Sequence, residues 1–147
     1  MRRLRAGRGD DGSTLPLILV FGMIALVLVL VVAAATDLYL ARKRLLTLAD
    51  GAALVGAESF RLDEVRSVDG AVQPRLDDAE VRDAVTGYLA DEPADGITAL
   101  HLVSATTPDT RSAAVTLAAT WNPPVPIPFV PDGVPIRATA TARSVIR

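Results

Sequence analysis

The sequence predicts an α+β protein: a single-pass N-terminal membrane helix that continues as an amphipathic helix packed on a small antiparallel β-sheet. Three observations carry that prediction. Leu15 to Ala35 is a run of 21 residues without a charge. From Asp37 to Phe60 there is no proline, and apolar or small residues recur in steps of three and four. Beyond Ile97 the hydrophobic period drops to two, the signature of strands with one buried face.

Composition narrows the function classes. The chain has 147 residues, 15 basic and 17 acidic, for a net charge of −2. That balance gives no basic surplus for nucleic acid. There is no cysteine, which removes disulfide scaffolds, thiol nucleophiles, iron–sulfur clusters and cysteine zinc sites. His101 is the one histidine, which removes multi-histidine metal sites. Half of the residues are hydrophobic but 4% are aromatic, so the apolar content is Ala, Val and Leu. Such residues suit close helix packing better than an aromatic-lined pocket.

At about 1.5 Å per residue, residues 15–35 span roughly 31 Å, the thickness of a bilayer's hydrocarbon core. Pro16 falls in the first turn, where its missing N–H costs little. Gly22 permits close approach of another helix. A cleaved secretory signal is the competing reading, with Arg2, Arg3 and Arg5 as its basic region and Ala33–Ala35 as its cleavage site. Its apolar core would be 7–15 residues, shorter than this run. Before the span stand Arg2, Arg3, Arg5 and Arg8; after it stand Arg42, Lys43 and Arg44. Four against three orients the N-terminus inward by a small margin. The basic triplet and Tyr39 fit the headgroup layer.

The amphipathic extension covers residues 36–60. Its seam runs Leu38, Ala41, Leu45, Leu48, Ala52, Val55 and Ser59, widened by Leu46, Ala49, Ala53 and Gly56. Arg42, Lys43, Asp50 and Glu58 mark the opposite side. Residues 61–77 are charged and broken by Gly70 and Pro74, so they predict a loop. Asp77 or Asp78 caps a second helix reaching about Ala90, with a stripe of Val81, Ala84, Val85, Tyr88 and Leu89. Strands follow at Ile97–Thr106, Ser112–Trp121 and Ile136–Ile146, the first two joined by a turn at Pro108–Thr110. Asn122 to Pro135 holds six prolines in 14 residues and cannot form the interior of a ladder. The expected partition is therefore a basic tail at 1–14, a span at 15–35, a helical extension at 36–60 and a small α+β domain at 61–147. In that domain Leu45, Leu48, Ala52 and Val55 are expected beneath the sheet face of Val115, Leu117, Ala138 and Ala140.

A membrane helix running into an amphipathic helix on a small antiparallel sheet is the pilin-like arrangement. The stretch from Arg8 to Leu17, the apolar run, and then D-x-Y-x-A-R-x-R-L-x-x-x-A-D-x-A-A-L-x-G-A from Asp37 to Ala57 resembles the TadE/TadG-like family of Flp-pilus (tight-adherence) assembly proteins. The resemblance covers about residues 8–60. It implies a minor, non-enzymatic, pilin-like component of a type IVb pilus or a related secretion apparatus. It also implies a cell-membrane location with the N-terminus cytoplasmic and the C-terminal domain outside. Processed members carry a Glu five residues after the cleaved Gly. Here Gly12 is followed at that distance by Leu17, which puts cleavage after Gly12 in doubt and predicts a chain that begins near Met1.

No residue stands out as catalytic, cofactor-binding or metal-binding. His101 sits between Leu100 and Leu102 without a neighbouring carboxylate. The acidic pairs Asp63–Glu64, Asp77–Asp78 and Asp91–Glu92 lack the spacing of a calcium loop and read as capping or solvated residues. Expected partners are the lipid bilayer and other pilus-assembly or secretion-system membrane proteins. No nucleic acid, small-molecule substrate or cofactor is expected. A different class of function, a membrane-tethered extracytoplasmic binding or regulatory domain, uses the same anchor without helix–helix contacts.

Overall fold

The computed structural model describes residues 14–59, 66–68, 71–73, 75–92, 96–125 and 132–144. The element order is α1 (Thr14–Glu58), β1 (Arg66–Val68), β2 (Ala71–Gln73), α2 (Asp78–Asp91), β3 (Thr98–Thr106), β4 (Ser112–Trp121) and β5 (Val134–Arg143). The chain divides into two compact units, Met1–Thr36 and Asp37–Arg147.

The first unit holds the apolar part of α1. The helix is continuous over 45 residues, and none of its most apolar 18-residue window is buried. Thr36 donates its hydroxyl to the Val32 carbonyl at 2.9 Å, so this polar residue is satisfied within the helix.

In the second unit, α1 buries Ala41, Leu45, Leu48, Ala49, Ala52, Ala53, Gly56 and Ala57. These come two per turn, which is the wide stripe of a helix set on a layered surface rather than a narrow heptad seam. The seam expected from the sequence is corrected on that account. Leu46 is 45% exposed, Val55 and Leu38 are half-buried, and Ala57 takes an inward place. The helix stops at Glu58, where Ser59 donates its hydroxyl to the Gly56 carbonyl at 2.8 Å. Phe60, the end of the expected extension, lies outside the described residues.

Two contacts fix how α1 meets the sheet. A Cβ at Gly56 would sit 3.2 Å from the Ala113 Cβ, and Trp121 donates its indole N–H to Asp37 Oδ2 at 2.8 Å. From Ala113 to Trp121 a strand covers about 27 Å, and from Asp37 to Gly56 a helix covers about 29 Å. The two lengths match, so β4 runs antiparallel along α1. Val115 and Leu117 lie between the two contacts and are fully buried, as are Leu45 and Ala52. Leu45, Leu48 and Ala52 are buried, and so is Ala140, while Ala138 is half-buried. Among the described residues alanine supplies ten of the twenty buried apolar positions.

The three-stranded sheet has the order β3-β4-β5 and is antiparallel throughout. β4 pairs with β5 without interruption from Ser112↔Arg143 to Trp121↔Val134. β3 is irregular. Its register shifts between Thr98 and His101 and again between Leu102 and Ser104. Each shift inserts one extra residue, as a β-bulge does. Ala99 has a left-handed φ of 51° at the first, and Val103 is left exposed at the second. The simple alternation read for Ile97–Thr106 is therefore broken twice. Pro135 lies inside β5, paired with Thr120, rather than in the connection before it. It is tolerated because β5 is an edge strand.

α2 begins where predicted. Asp77 is extended and accepts the Ala79 N–H at 2.8 Å, and the Asp78 carboxylate accepts the Thr107 N–H at 2.6 Å. Val81 and Val85 are fully buried; Ala84, Tyr88 and Leu89 are half-buried. Val81 and Val85 approach Gly56, and Tyr88 approaches Gly51, so α2 runs antiparallel to α1. Residues 61–77, expected as a loop, contain the short β1–β2 ribbon with Ser67 opposite Val72.

Candidate functional site

Among the described residues the chemistry-bearing side chains do not converge. His101 is exposed, its Nδ1 lying 2.9 Å from the Ala99 carbonyl oxygen across the bulge. Its strand partner is Ala118, whose other neighbour is Arg137. Asp77 and Asp78 are engaged with backbone N–H groups at the start of α2, as read from the sequence. Asp91 and Glu92 stand exposed at its end, and Asp63–Glu64 lie outside the described residues. Among the described residues no group of three His, Asp or Glu side chains is placed to hold a metal ion.

The polar interactions present instead stabilise loops. Asp109 accepts N–H bonds from Arg111 at 3.0 Å and Ser112 at 2.6 Å, and a hydroxyl bond from Ser112 at 3.1 Å. The Arg111 N–H first, then the two Ser112 donors and the Arg143 charge, outweigh desolvation and hold this carboxyl below its ordinary range. The phenol of Tyr88 is pushed the other way, chiefly by burial and then by the charge of Glu92.

The candidate feature is a surface, and α1 provides it. From Leu15 to Val32 its large apolar side chains are exposed all round the helix. A helix apolar on every face is a membrane span or a protein core, and nothing among the described residues covers it. Beyond Asp37 one side of α1 is buried under the domain. The other side presents Tyr39, Leu40, Leu46 and Leu54, between 42% and 65% exposed, interspersed with Lys43 and Asp50. Leu46 and Leu54 were assigned to the inner seam or left unplaced by the sequence reading, because hydropathy alone does not say which face a leucine joins. Ala49, expected to widen the inner seam, is fully buried.

At the domain's first turn, Asp37 is the acceptor for Trp121. Sequence reasoning had no access to this pair, since 84 positions separate its members. Beside it, Thr98 donates its hydroxyl to the Thr120 carbonyl and accepts from Asn122 Nδ2, both at 3.0 Å. Gly133 has φ +73°, and a Cβ there would collide with the Trp121 carbonyl and Asn122. The two ends of the β4–β5 connection are thereby fixed together next to Asp37.

Residues 12–59 match the sequence model of the Tad family, described as Flp pilus-assembly TadE/G-like. The matched stretch coincides with α1 and contains the Asp37–Ala57 motif. No curated protein and no solved structure matches the chain significantly.

Proposed function

We propose that the protein is a single-pass, non-enzymatic, pilin-like component of Flp pilus assembly, held in the cell membrane by residues 15–35. Its N-terminal tail is cytoplasmic and its α+β domain is outside. The observation that carries this reading is the coincidence of the family match at 12–59 with one uninterrupted helix. That helix is apolar on all sides in its first half and builds the domain with its second. A tether needs only the first property. Here the second half of the helix also supplies buried residues of the domain. The exposed side formed by Leu46 and Leu54 is free to meet other membrane-anchored assembly proteins.

Site-specific crosslinking tests the contact. Photoreactive residues at Gly22 and Leu46 are expected to give adducts with other pilus-assembly membrane proteins, whereas one at Ala49, which is fully buried, gives none. Absence of adducts from both Gly22 and Leu46 in cells that build pili would reduce the protein to a tether. Orientation is tested separately. Cysteine at Thr139, which is exposed on β5, is labelled from outside intact cells, and cysteine at Ala6 is not.

A further inference from the structure

We propose that the outer edge of β5 accepts one antiparallel strand from a partner protein, an extended segment in which apolar residues alternate with acidic ones. The inference lies within the unit Asp37–Arg147 and is independent of the membrane reading. Among the described residues the sheet ends at β5, with no further strand beside it. The register with β4 shows which backbone groups are left over. Ser144 donates its N–H to the Arg111 carbonyl at 2.9 Å, in step with the unbroken pairing from Ser112↔Arg143 to Trp121↔Val134. In an antiparallel ladder the N–H and C=O of one residue point to the same side, and those of the next residue to the other. Val134, Ile136, Ala138, Ala140 and Ala142 therefore bond β4. Arg137, Thr139, Thr141 and Arg143 turn their N–H and C=O groups outward. Pro135 shares their phase, and it is the one residue of β5 with no N–H to lose.

Unpaired groups at a sheet edge are a template for another chain unless something blunts them. β3, the opposite edge, is interrupted by two register shifts, and α2 packs against it. β5 keeps one register along its whole length. Its outward groups from Arg137 to Arg143 cover about 20 Å. The side chains of an added strand would join two different faces. On the face away from the core, Pro135, Arg137, Thr139, Thr141 and Arg143 are exposed, and the Thr139 hydroxyl lies 3.0 Å from that of Thr116. Both charges of β5 are arginines, and the row beside Arg137 is Ala118 and His101, without a carboxylate. Acidic side chains at alternate positions of the partner complement that face. On the core-facing side Ile136 and Ala140 are buried, but Val134, Ala138 and Ala142 are only half-buried. Apolar side chains at the intervening positions of the partner would complete their cover. A second copy of β5 would bring only further arginines to a face that already holds two, so the complementary strand is a different, acidic one.

The probe is a fluorescent, acetylated peptide of four valine–glutamate repeats. It is titrated with the full chain in detergent micelles and followed by anisotropy, with empty micelles as the blank. In antiparallel pairing with β5 the glutamates stand opposite the outward-turned residues, so their N–H groups make the ladder bonds while those of the valines face away. The peptide is expected to bind, and N-methylation of its glutamates to weaken binding at least about ten-fold. N-methylation of its valines is expected to change little. A valine–lysine peptide is expected to bind at least about ten-fold more weakly, and Arg137→Glu to reverse the preference in its favour. Failure of the valine–glutamate peptide to bind the full chain overturns the proposal. Binding that survives N-methylation of the glutamates also overturns it, because charge alone then holds the peptide. Equal binding of the glutamate and lysine peptides, or a preference unmoved by Arg137→Glu, overturns the acidic partner.

Discussion

Replacing Gly56 with alanine sets two effects of known size against each other. Alanine in a helix interior is favoured over glycine by about 1 kcal/mol. Against that, the new Cβ would lie 3.1 Å from Val81 Cγ1, 3.2 Å from Ala113 Cβ and 3.3 Å from Val85 Cγ2. Carbon pairs rest at about 3.5–4.0 Å, so all three contacts are too short. None is the loose end of a flexible chain. Val81 and Val85 are fully buried, and β-branched residues in a helix have little χ1 freedom. Ala113 Cβ is fixed to the backbone of the central strand. The overpacking cost therefore lies in the range of about 1–3 kcal/mol and exceeds the gain, for a net loss near 1 kcal/mol. Gly87 is the control: it is also helical, and a Cβ there meets nothing within 4 Å. Gly87→Ala is expected to stabilise by about 0.5–1 kcal/mol. The two variants should differ by about 2 kcal/mol, which for a domain of this size separates their melting temperatures by roughly 10 °C. Thermal unfolding of the full chain in detergent, followed by far-ultraviolet circular dichroism, reads the difference. If Gly56→Ala rises alongside Gly87→Ala, the α1–α2–β4 junction is not packed as described.

Other positions give independent expectations. Ala52 is fully buried on α1, so Ala52→Leu should cost about 1–3 kcal/mol, and Asp50→Asn on the exposed flank within about 0.5 kcal/mol, by urea denaturation. Trp121→Phe deletes the donor to Asp37 and should cost about 1.5–3 kcal/mol, whereas Asp37→Asn keeps an acceptor and should cost less; a Trp121→Phe loss within about 0.5 kcal/mol would show that the bond contributes little. Ala99 holds a left-handed φ of 51°, so Ala99→Gly should raise stability by about 0.5–1 kcal/mol, and an unchanged melting temperature would refute the strain. The folded state holds the Asp109 carboxyl below its ordinary 3.8. Its contribution is therefore present above that value and is lost as pH falls through the folded value. Asp109→Asn should flatten the acid limb of the stability curve below about pH 4 and leave the neutral region nearly level.

Elements with many periods of one pattern were legible in the sequence. The apolar half of α1, α2 and β4 offered such runs, and β4 occupies Ser112–Trp121 as the alternation predicts. The β1–β2 ribbon was not legible, because three residues per strand are too few to express a period of two. The bulges at Ala99 and Val103 were hidden, since an inserted residue leaves local composition intact while moving every later side chain to the other face. The inner side of α1 was read from its alanines with partial success. Ala49, Ala52 and Ala53 were placed inward, but Leu46 turned out, because burial depends on the partner surface and not on the residue's own hydropathy. The candidate surface was legible where it is local, in the motif from Asp37 to Ala57. The hydrogen bond joining Asp37 to Trp121 depends on tertiary packing and leaves no trace in either neighbourhood.

The antiparallel alignment of β4 with α1 has a mechanical consequence. From Asp37 onward the axis of α1 lies along β4. Traction along that part of the helix acts in shear on the whole length of its contact with the sheet at once, instead of peeling it from one end. The interface between helix and sheet is built from alanines and short aliphatics, which resist sliding by close fit rather than by long side chains threaded together. The Trp121–Asp37 bond sits at the end of that interface where the tension enters. A domain hung in this way resists extraction of its own helix more strongly than it would if the strands crossed the axis.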